Sequence, residues 1–219
     1  MKITEGLYAF IWSNHAANNC NTYLIDGEKR VLVDPGHNHL LSHVRENLSR
    51  LGLSFQDIDL VLITHGHPDH MEGIRAFRDS GALIAISRAE LDFIKETAPQ
   101  YGEGLGISVS GFDFLLREGD LRIGNLTFQV IPTPGHSPGS VCLYWPGRKA
   151  IFTGDVVFYQ GVGRTDLPAG NGRQLKESIK RISALDVEYL LPGHGDIISG
   201  RANVEANFQD IERMWFGYL

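Results

Sequence analysis

Cysteine is scarce in this chain. There are two, Cys20 and Cys142, among 219 residues, and each is set in an apolar, strand-like run. That pattern predicts buried free thiols in a reducing compartment, not a disulfide framework. Long apolar runs are missing as well. None approaches the ~20 residues of a membrane-spanning helix, and the opening "MKITEGLYAFIW" lacks the charged-then-apolar order of a signal peptide. Together these absences predict a cytoplasmic protein with no membrane partner. Basic charge is also short: 20 Lys and Arg stand against 26 Asp and Glu, for a net charge of −6. This argues against a nucleic-acid partner, because phosphate binding needs a basic face. The densest basic group, Arg173, Lys176, Lys180 and Arg181, shares its segment with Glu177 and reads as a solvated helix face. No linker or low-complexity stretch interrupts the chain, so residues 1–219 read as one domain around one core.

What is present is ordinary globular material, 42% hydrophobic and 21% charged, with 25 glycines that imply many tight turns. Short apolar runs at 6–12, 21–26, 30–36, 59–65 and 82–87 read as strands. The period at 40–52 reads as a helix closed by Gly52, and 73–81 reads as a short helix. Ser87 with Glu90 forms a capping-box pattern that starts a helix over 87–97. Residues 98–111 lack periodicity and read as a loop beside a site. The second half repeats the style. Two strands at 121–131 turn at Gly124-Asn125, and a hairpin at 140–155 turns at Pro146-Gly147. A helix at 172–185 is capped by Asn171. A strand and turn follow at 188–196. An amphipathic helix at 201–216 carries Val204, Phe208, Ile211 and Trp215 on one stripe. Mixed strands and helices give an α/β class. Trp215, Phe216 and Tyr218 at the end supply a surface for a homodimer contact.

Several of these strands end alike. "VLVDPGH" reaches Asp34, and "VLITHGHPDH" reaches His65, His67, Asp69 and His70. "VIPTPGH" reaches His136, "AIFTGD" reaches Asp155, and "LLPGHG" reaches His194. Each is an apolar run breaking into a Gly- or Pro-containing turn, where catalytic residues are commonly placed. Three imidazoles and a carboxylate crowded after a buried strand would repel when protonated and cost desolvation without a partner. His15, His37, His39 and His43 stand apart and read as structural. Six or seven N and O ligands exceed what one tetrahedral zinc needs and suit two divalent metals. His65, His67 and His136 can hold the first, and Asp69, His70 and His194 the second, with Asp155 bridging. Zinc leads, with iron or manganese as alternatives. Two metals about 3.5–4 Å apart can hold a water and lower its pKa toward 7.

At these residues the sequence resembles the metallo-β-lactamase superfamily, in its glyoxalase II-like branch. "THGHPDH" (64–70), "TPGHSPGS" (133–140), "FTGD" (152–155), "LPGHG" (191–195) and "VDPG" (33–36) fall in the family's order, over nearly the whole chain. The resemblance implies a four-layer αββα sandwich with metals at one edge and the ligand set above. It also implies that Asp34 supports the ligands from behind. The carboxylate at 155 separates the chain from true β-lactamases and implies a native function other than antibiotic hydrolysis. "GVGRTDLPAG" (161–170) resembles a glyoxalase II-like and persulfide dioxygenase segment. Arg164 there could pair with a substrate carboxylate or simply with Asp166. Tyr159, four positions after Asp155, is a further substrate-binding candidate. Glyoxalase II carries a C-terminal helical domain, whereas here only residues 195–219 follow His194, so a glutathione thioester is one candidate substrate among others.

The resemblance implies a hydrolase of small-molecule thioesters or esters. In that reading His65, His67, His136, Asp69, His70, His194 and Asp155 would hold metals that supply a hydroxide nucleophile for the carbonyl, Asp69 would orient the hydroxide proton, and the thiolate would leave without a general acid. The rival reading is a mononuclear non-haem iron oxygenase of the persulfide dioxygenase kind, with iron on His65, His136 and Asp155. A non-catalytic metal-binding domain and a nuclease are lesser alternatives.

Overall fold

The computed structural model describes residues 1–14, 16–101 and 111–219. His15 and positions 102–110 of the expected loop lie outside the described residues. Two sheets and a small ribbon organise the chain. The first sheet has seven strands in sequential order: β1 (Lys2–Thr4), β2 (Leu7–Phe10), β3 (Thr22–Asp26), β4 (Arg30–Val33), β5 (Leu60–Leu62), β6 (Leu83–Ser87) and β7 (Phe114–Leu116). Strands β1 to β4 pair antiparallel, and β4 to β7 pair parallel. The parallel half needs crossovers, which are supplied by α1 (Ser42–Arg50), α2 (Pro68–Met71) with a following 3₁₀ run, and α3 (Arg88–Tyr101).

The second sheet contains β8 (Gly119–Ile123), β9 (Leu126–Pro132), β10 (Val141–Trp145), β11 (Ala150–Gly154), β14 (Tyr189–Pro192) and β15 (Ile198–Ser199). Its order is β15-β14-β11-β10-β9-β8, and the ribbon β12 (Val157–Phe158)–β13 (Gly161–Val162) stands at its edge. Only β11–β14 is parallel, and α4 (Gly172–Ser183) makes that crossover, followed at the chain's end by α5 (Arg201–Trp215).

Strand periodicity explains the layering. In β3 and β4, Tyr23, Ile25, Val31 and Val33 face the second sheet, meeting Phe128, Leu143, Phe152 and Leu191. Leu24 and Leu32 point the other way, onto Val44 and Leu48 of α1 and onto Phe77. In the second sheet Cys142, Ile151 and Leu190 face outward onto Leu175, Ile179, Val204, Phe208 and Ile211 of α4 and α5. Strands buried on both faces read as near-continuous apolar runs. The result is the αββα sandwich expected from the sequence, and both cysteines are buried and free. Among the described residues no helix is long and apolar enough to cross a membrane.

Three local expectations are corrected. The 73–81 segment winds as a 3₁₀ run, Glu72–Ser80, whose first free N–H groups include that of Gly73, which donates to Gly36 O at 2.7 Å. Helix α3 continues to Tyr101, past the expected end at 97. The capping box at its start is half formed: Ser87 Oγ accepts from Glu90 N at 3.1 Å, but the Glu90 carboxylate turns inward, toward the loops that carry the histidines.

Candidate metal centre

All five strand-end turns meet at one edge of the sandwich. "THGHPDH" leaves β5, and Pro68 opens α2 at its first turn, where its missing N–H is harmless. One turn of helix then presents Asp69 and His70. "TPGHSPGS" joins β9 to β10, Asp155 follows β11, and His194 follows β14. Sheet pairing of β11 with β14 places the last two side by side. Gly193 makes the approach feasible: a Cβ there would lie 2.3 Å from Asp155 Oδ1 and 2.6 Å from His70 Cε1.

The seven side chains form two converging groups that share an edge. His65 Nε2 is 3.1 Å and His136 Nε2 is 2.8 Å from His67 Nδ1. His70 Nε2 and His194 Nε2 are 3.2 Å apart, and Asp69 Oδ2 is 3.3 Å from His194 Nε2. Asp155 touches both groups. Its Oδ1 is 3.2 Å from His70 Nε2, and its Oδ2 is 3.5 Å from His136 Nε2 and 3.4 Å from His194 Nε2. The ligand atoms of His65, His67 and His136, of His65, His70 and Asp155, and of Asp69, His70 and His194 each fall within 4.8 Å of one another.

Support from behind sets the direction of each ligand. His136 Nδ1 lies 2.8 Å from Arg164 O, so Nδ1 carries the proton and Nε2 turns its lone pair inward. Asp34 Oδ2 lies 2.9 Å from His70 Nδ1 and has the same effect there. Asp34 also accepts from Thr64 N and Thr64 Oγ1 at 2.8 and 2.6 Å, which fixes the start of the histidine-rich turn. It does so with φ at +52°, a left-handed conformation that aspartate tolerates better than most residues.

A cation suits this donor set. Two supported imidazoles and their neighbours point lone pairs at one another across 2.8–3.2 Å, and a single N–H between each pair cannot satisfy them all. Asp155 Oδ1 is buried without a hydrogen bond. Burial pushes His65, His67 and His136 down, with His67 at about 4, so these three are neutral at pH 7, as ligation requires. Burial would also lower His70 and His194, but the carboxylates of Asp155 and its neighbours reverse it, raising His194 to about 9. Burial would raise Asp69 and Asp155, and the imidazoles of His70 and His194 outweigh it and hold both carboxyls well below the usual range.

The centre opens into a cavity of about 610 Å³ lined by Asn18, His67, Pro68, Asp69, His136, Asp155, Phe158, Val162, Gly163, Arg164, Leu167 and His194. The sequence-derived substrate candidates divide here. Arg164 lines the cavity, but its guanidinium is bidentate with Asp166 at 2.8 and 2.7 Å, as in the bracing alternative. Tyr159 is displaced from expectation. It is 57% exposed and lines a separate cavity with Gln160 and Asp196. The β12–β13 turn explains the difference: Phe158 ends β12 and faces the centre, with its ring 6.0 Å from that of His194, whereas Tyr159 lies in the turn beyond it.

Sequence reasoning missed three supports. Asn18 Nδ2 donates to Asp69 Oδ2 at 2.8 Å. Asn21 Nδ2 donates to Pro192 O and Gly195 O at 3.1 and 2.9 Å, anchoring the His194 turn. Glu90 is wholly buried. Its Oε1 accepts from Gly66 N at 2.8 Å, and its Oε2 accepts from Ser137 Oγ and Gly139 N, each at 2.8 Å. It therefore ties the His65–His67 turn to the His136 turn. The amide cluster "NNCN" (18–21) was the available signal for the first two. The capping pattern masked the third.

Comparison with known proteins agrees with this geometry. The family model described as "Metallo-beta-lactamase superfamily" matches residues 16–194, ending on the last ligand candidate and before α5. A "Probable metallo-hydrolase MJ0888" of Methanocaldococcus jannaschii is 32% identical over 81% of this chain and 88% of its own length. The "Hydroxyacylglutathione hydrolase GloC" of Haemophilus influenzae is 29% identical over 81% of this chain and 85% of its own length. The crystal structure of TTHA1623 in a di-iron-bound form superposes with a TM-score of 0.65 at 32% identity, covering 82% of this chain and 89% of that one. With its sandwich, its five strand-end turns and a family match across most of its length, the chain belongs to the metallo-beta-lactamase superfamily.

Proposed function

We propose that the chain is a dinuclear metal-dependent hydrolase of small-molecule thioesters or esters. The observation that carries this reading is Asp155, whose two oxygens lie against both groups of ligand atoms at 3.2–3.5 Å. His65, His67 and His136 would hold one divalent ion, and Asp69, His70 and His194 the other. Two bound ions, zinc first with iron or manganese as alternatives, would supply a hydroxide nucleophile at neutral pH and polarise a carbonyl. The di-iron form of TTHA1623 supports the stoichiometry, and the name of GloC supports the substrate class.

The chain's own residues do the rest. Asp69, steadied by Asn18, would help hold its ion and orient the nucleophile's proton. Phe158, Val162 and Leu167 give the cavity an apolar wall against which an acyl group can lie and from which water is excluded. Arg164, 62% exposed at its side chain, can exchange Asp166 for a substrate carboxylate at the mouth. Among the described residues, the cavity lining holds no general acid for the leaving group apart from the side chains assigned to the ions. A thiolate, whose conjugate thiol has a pKa of about 8.5, departs without one, and this favours thioesters over amides.

The oxygenase alternative uses only His65, His136 and Asp155. It leaves unexplained why Asp69, His70 and His194 also converge within 4.8 Å. The test is metal identity and stoichiometry on protein purified without added metal or chelator, followed by a panel of thioesters and esters with a β-lactam as control. About two metals per chain and thioester turnover are expected. A single iron per chain, with oxygen consumption on a persulfide, would overturn the proposal.

A further inference from the structure

A second convergence of ligating side chains lies behind the main centre. His37 and His39, flanking and within the 3₁₀ turn Asn38–Leu40, meet Glu72 at the end of α2, and the ligand atoms of the three lie within 4.8 Å of one another. His37 Nδ1 is 2.9 Å from Glu72 Oε2, with both side chains under one-fifth exposed. The rings of His37 and His39 are 4.9 Å apart. A structural ion pair accounts for His37 and Glu72 alone. It does not account for His39, whose ring is brought against that pair and makes no hydrogen bond of its own among the described residues.

We propose that His37, His39 and Glu72 form an additional divalent-cation site, of the zinc class, separate from the two-metal centre. Two imidazoles and one carboxylate are a set that zinc accepts, with water completing the tetrahedron. The backbone beneath is already fastened. His37 N–H donates to Asn19 Oδ1 at 2.8 Å, Gly36 N–H to His70 O at 3.1 Å, and Gly73 N–H to Gly36 O at 2.7 Å. Two ligands are therefore preset, and the exposed His39 closes the site by a rotamer change. A site with one adjustable, solvent-facing ligand binds more weakly than the buried centre and fills at higher free zinc. When filled, it pins the loop after β4 to the turn that carries His70, and so stabilises the fold by mass action.

The experiment is equilibrium dialysis of untagged, chelator-stripped protein against zinc buffered from the nanomolar to the micromolar range, with bound zinc measured per chain and thermal midpoints recorded alongside. The unmodified chain is expected to take up one equivalent more than His39→Ala, only in the upper part of that range. The same step should raise its thermal midpoint and not that of the variant. Glu72→Gln should remove the step as well. Equal uptake by the unmodified chain and His39→Ala, at every free zinc concentration, would overturn the proposal. Loss of the tighter equivalents in all proteins would instead count against the two-metal centre, so the two readings fail separately.

Discussion

Glu90→Ala is the perturbation with the most to say about how the centre is held. The carboxylate satisfies three donors on two loops. Ser137 Oγ keeps a partner after the change, because Ser140 Oγ lies 2.6 Å away. Gly66 N and Gly139 N do not. Two orphaned buried donors cost about 1–3 kcal/mol each. Part of this is returned, because a buried carboxylate no longer has to be desolvated. Burial pushes Glu90 above the usual carboxyl range despite its three donors. The net loss expected is about 2–4 kcal/mol, or a fall in thermal midpoint of about 4–16 °C for a chain of this size. Gly139 cannot relax inward to compensate without closing on Glu90 N, which a Cβ there would approach to 2.0 Å. The assay is urea unfolding of stripped and metal-loaded protein. Because Glu90 joins the turns of His65–His67 and His136, the loaded protein should lose more than the stripped one, and Glu90→Gln should fall between. A loss below about 0.5 kcal/mol, the range of a surface substitution, with metal uptake unchanged, would refute the reasoning.

Three further outcomes follow from the same geometry. Asp155→Asn and His67→Ala should each lower bound metal and abolish turnover; full metal content with turnover in either would remove the two-metal assignment. The stripped protein should be most stable near pH 6.5. His67, lowered to about 4, binds its proton more readily when unfolded, so stability is lost as pH falls from 6.5 toward 4. His194, raised to about 9, binds its proton more readily when folded, so that contribution is complete below 6.5 and is lost as pH rises through 9. His194→Gln should shrink the alkaline limb in denaturation measured across pH, and metal loading near pH 7 should release protons from this side of the centre, readable in weakly buffered solution. Tyr159→Phe should leave kcat/KM unchanged, since that ring faces another cavity, whereas Phe158→Ala should raise KM for acyl substrates; the reverse pattern would restore Tyr159 as a substrate contact.

The sequence by itself determined the layers and the ligand types. Short, near-continuous apolar runs such as "TYLID" and "VLVDPG" declared strands, and local hydrophobic pattern is enough for that. The recurring passage from an apolar run into a Gly- or Pro-containing turn with His or Asp declared the centre, because such crowding is costly without a cation. What only the tertiary structure decided depends on contacts between distant segments. Glu90 reads locally as a cap, and its partners lie 24 to 49 positions away. That Phe158 and not Tyr159 lines the cavity follows from where the β12–β13 ribbon ends: Phe158 pairs with Gly161, and Tyr159 falls in the turn between them. His37 and His39 read as isolated until the 3₁₀ turn brings them to Glu72. Local propensity reports which elements form. Which side chains face one another is set by how those elements pack, and that information is spread over the whole chain.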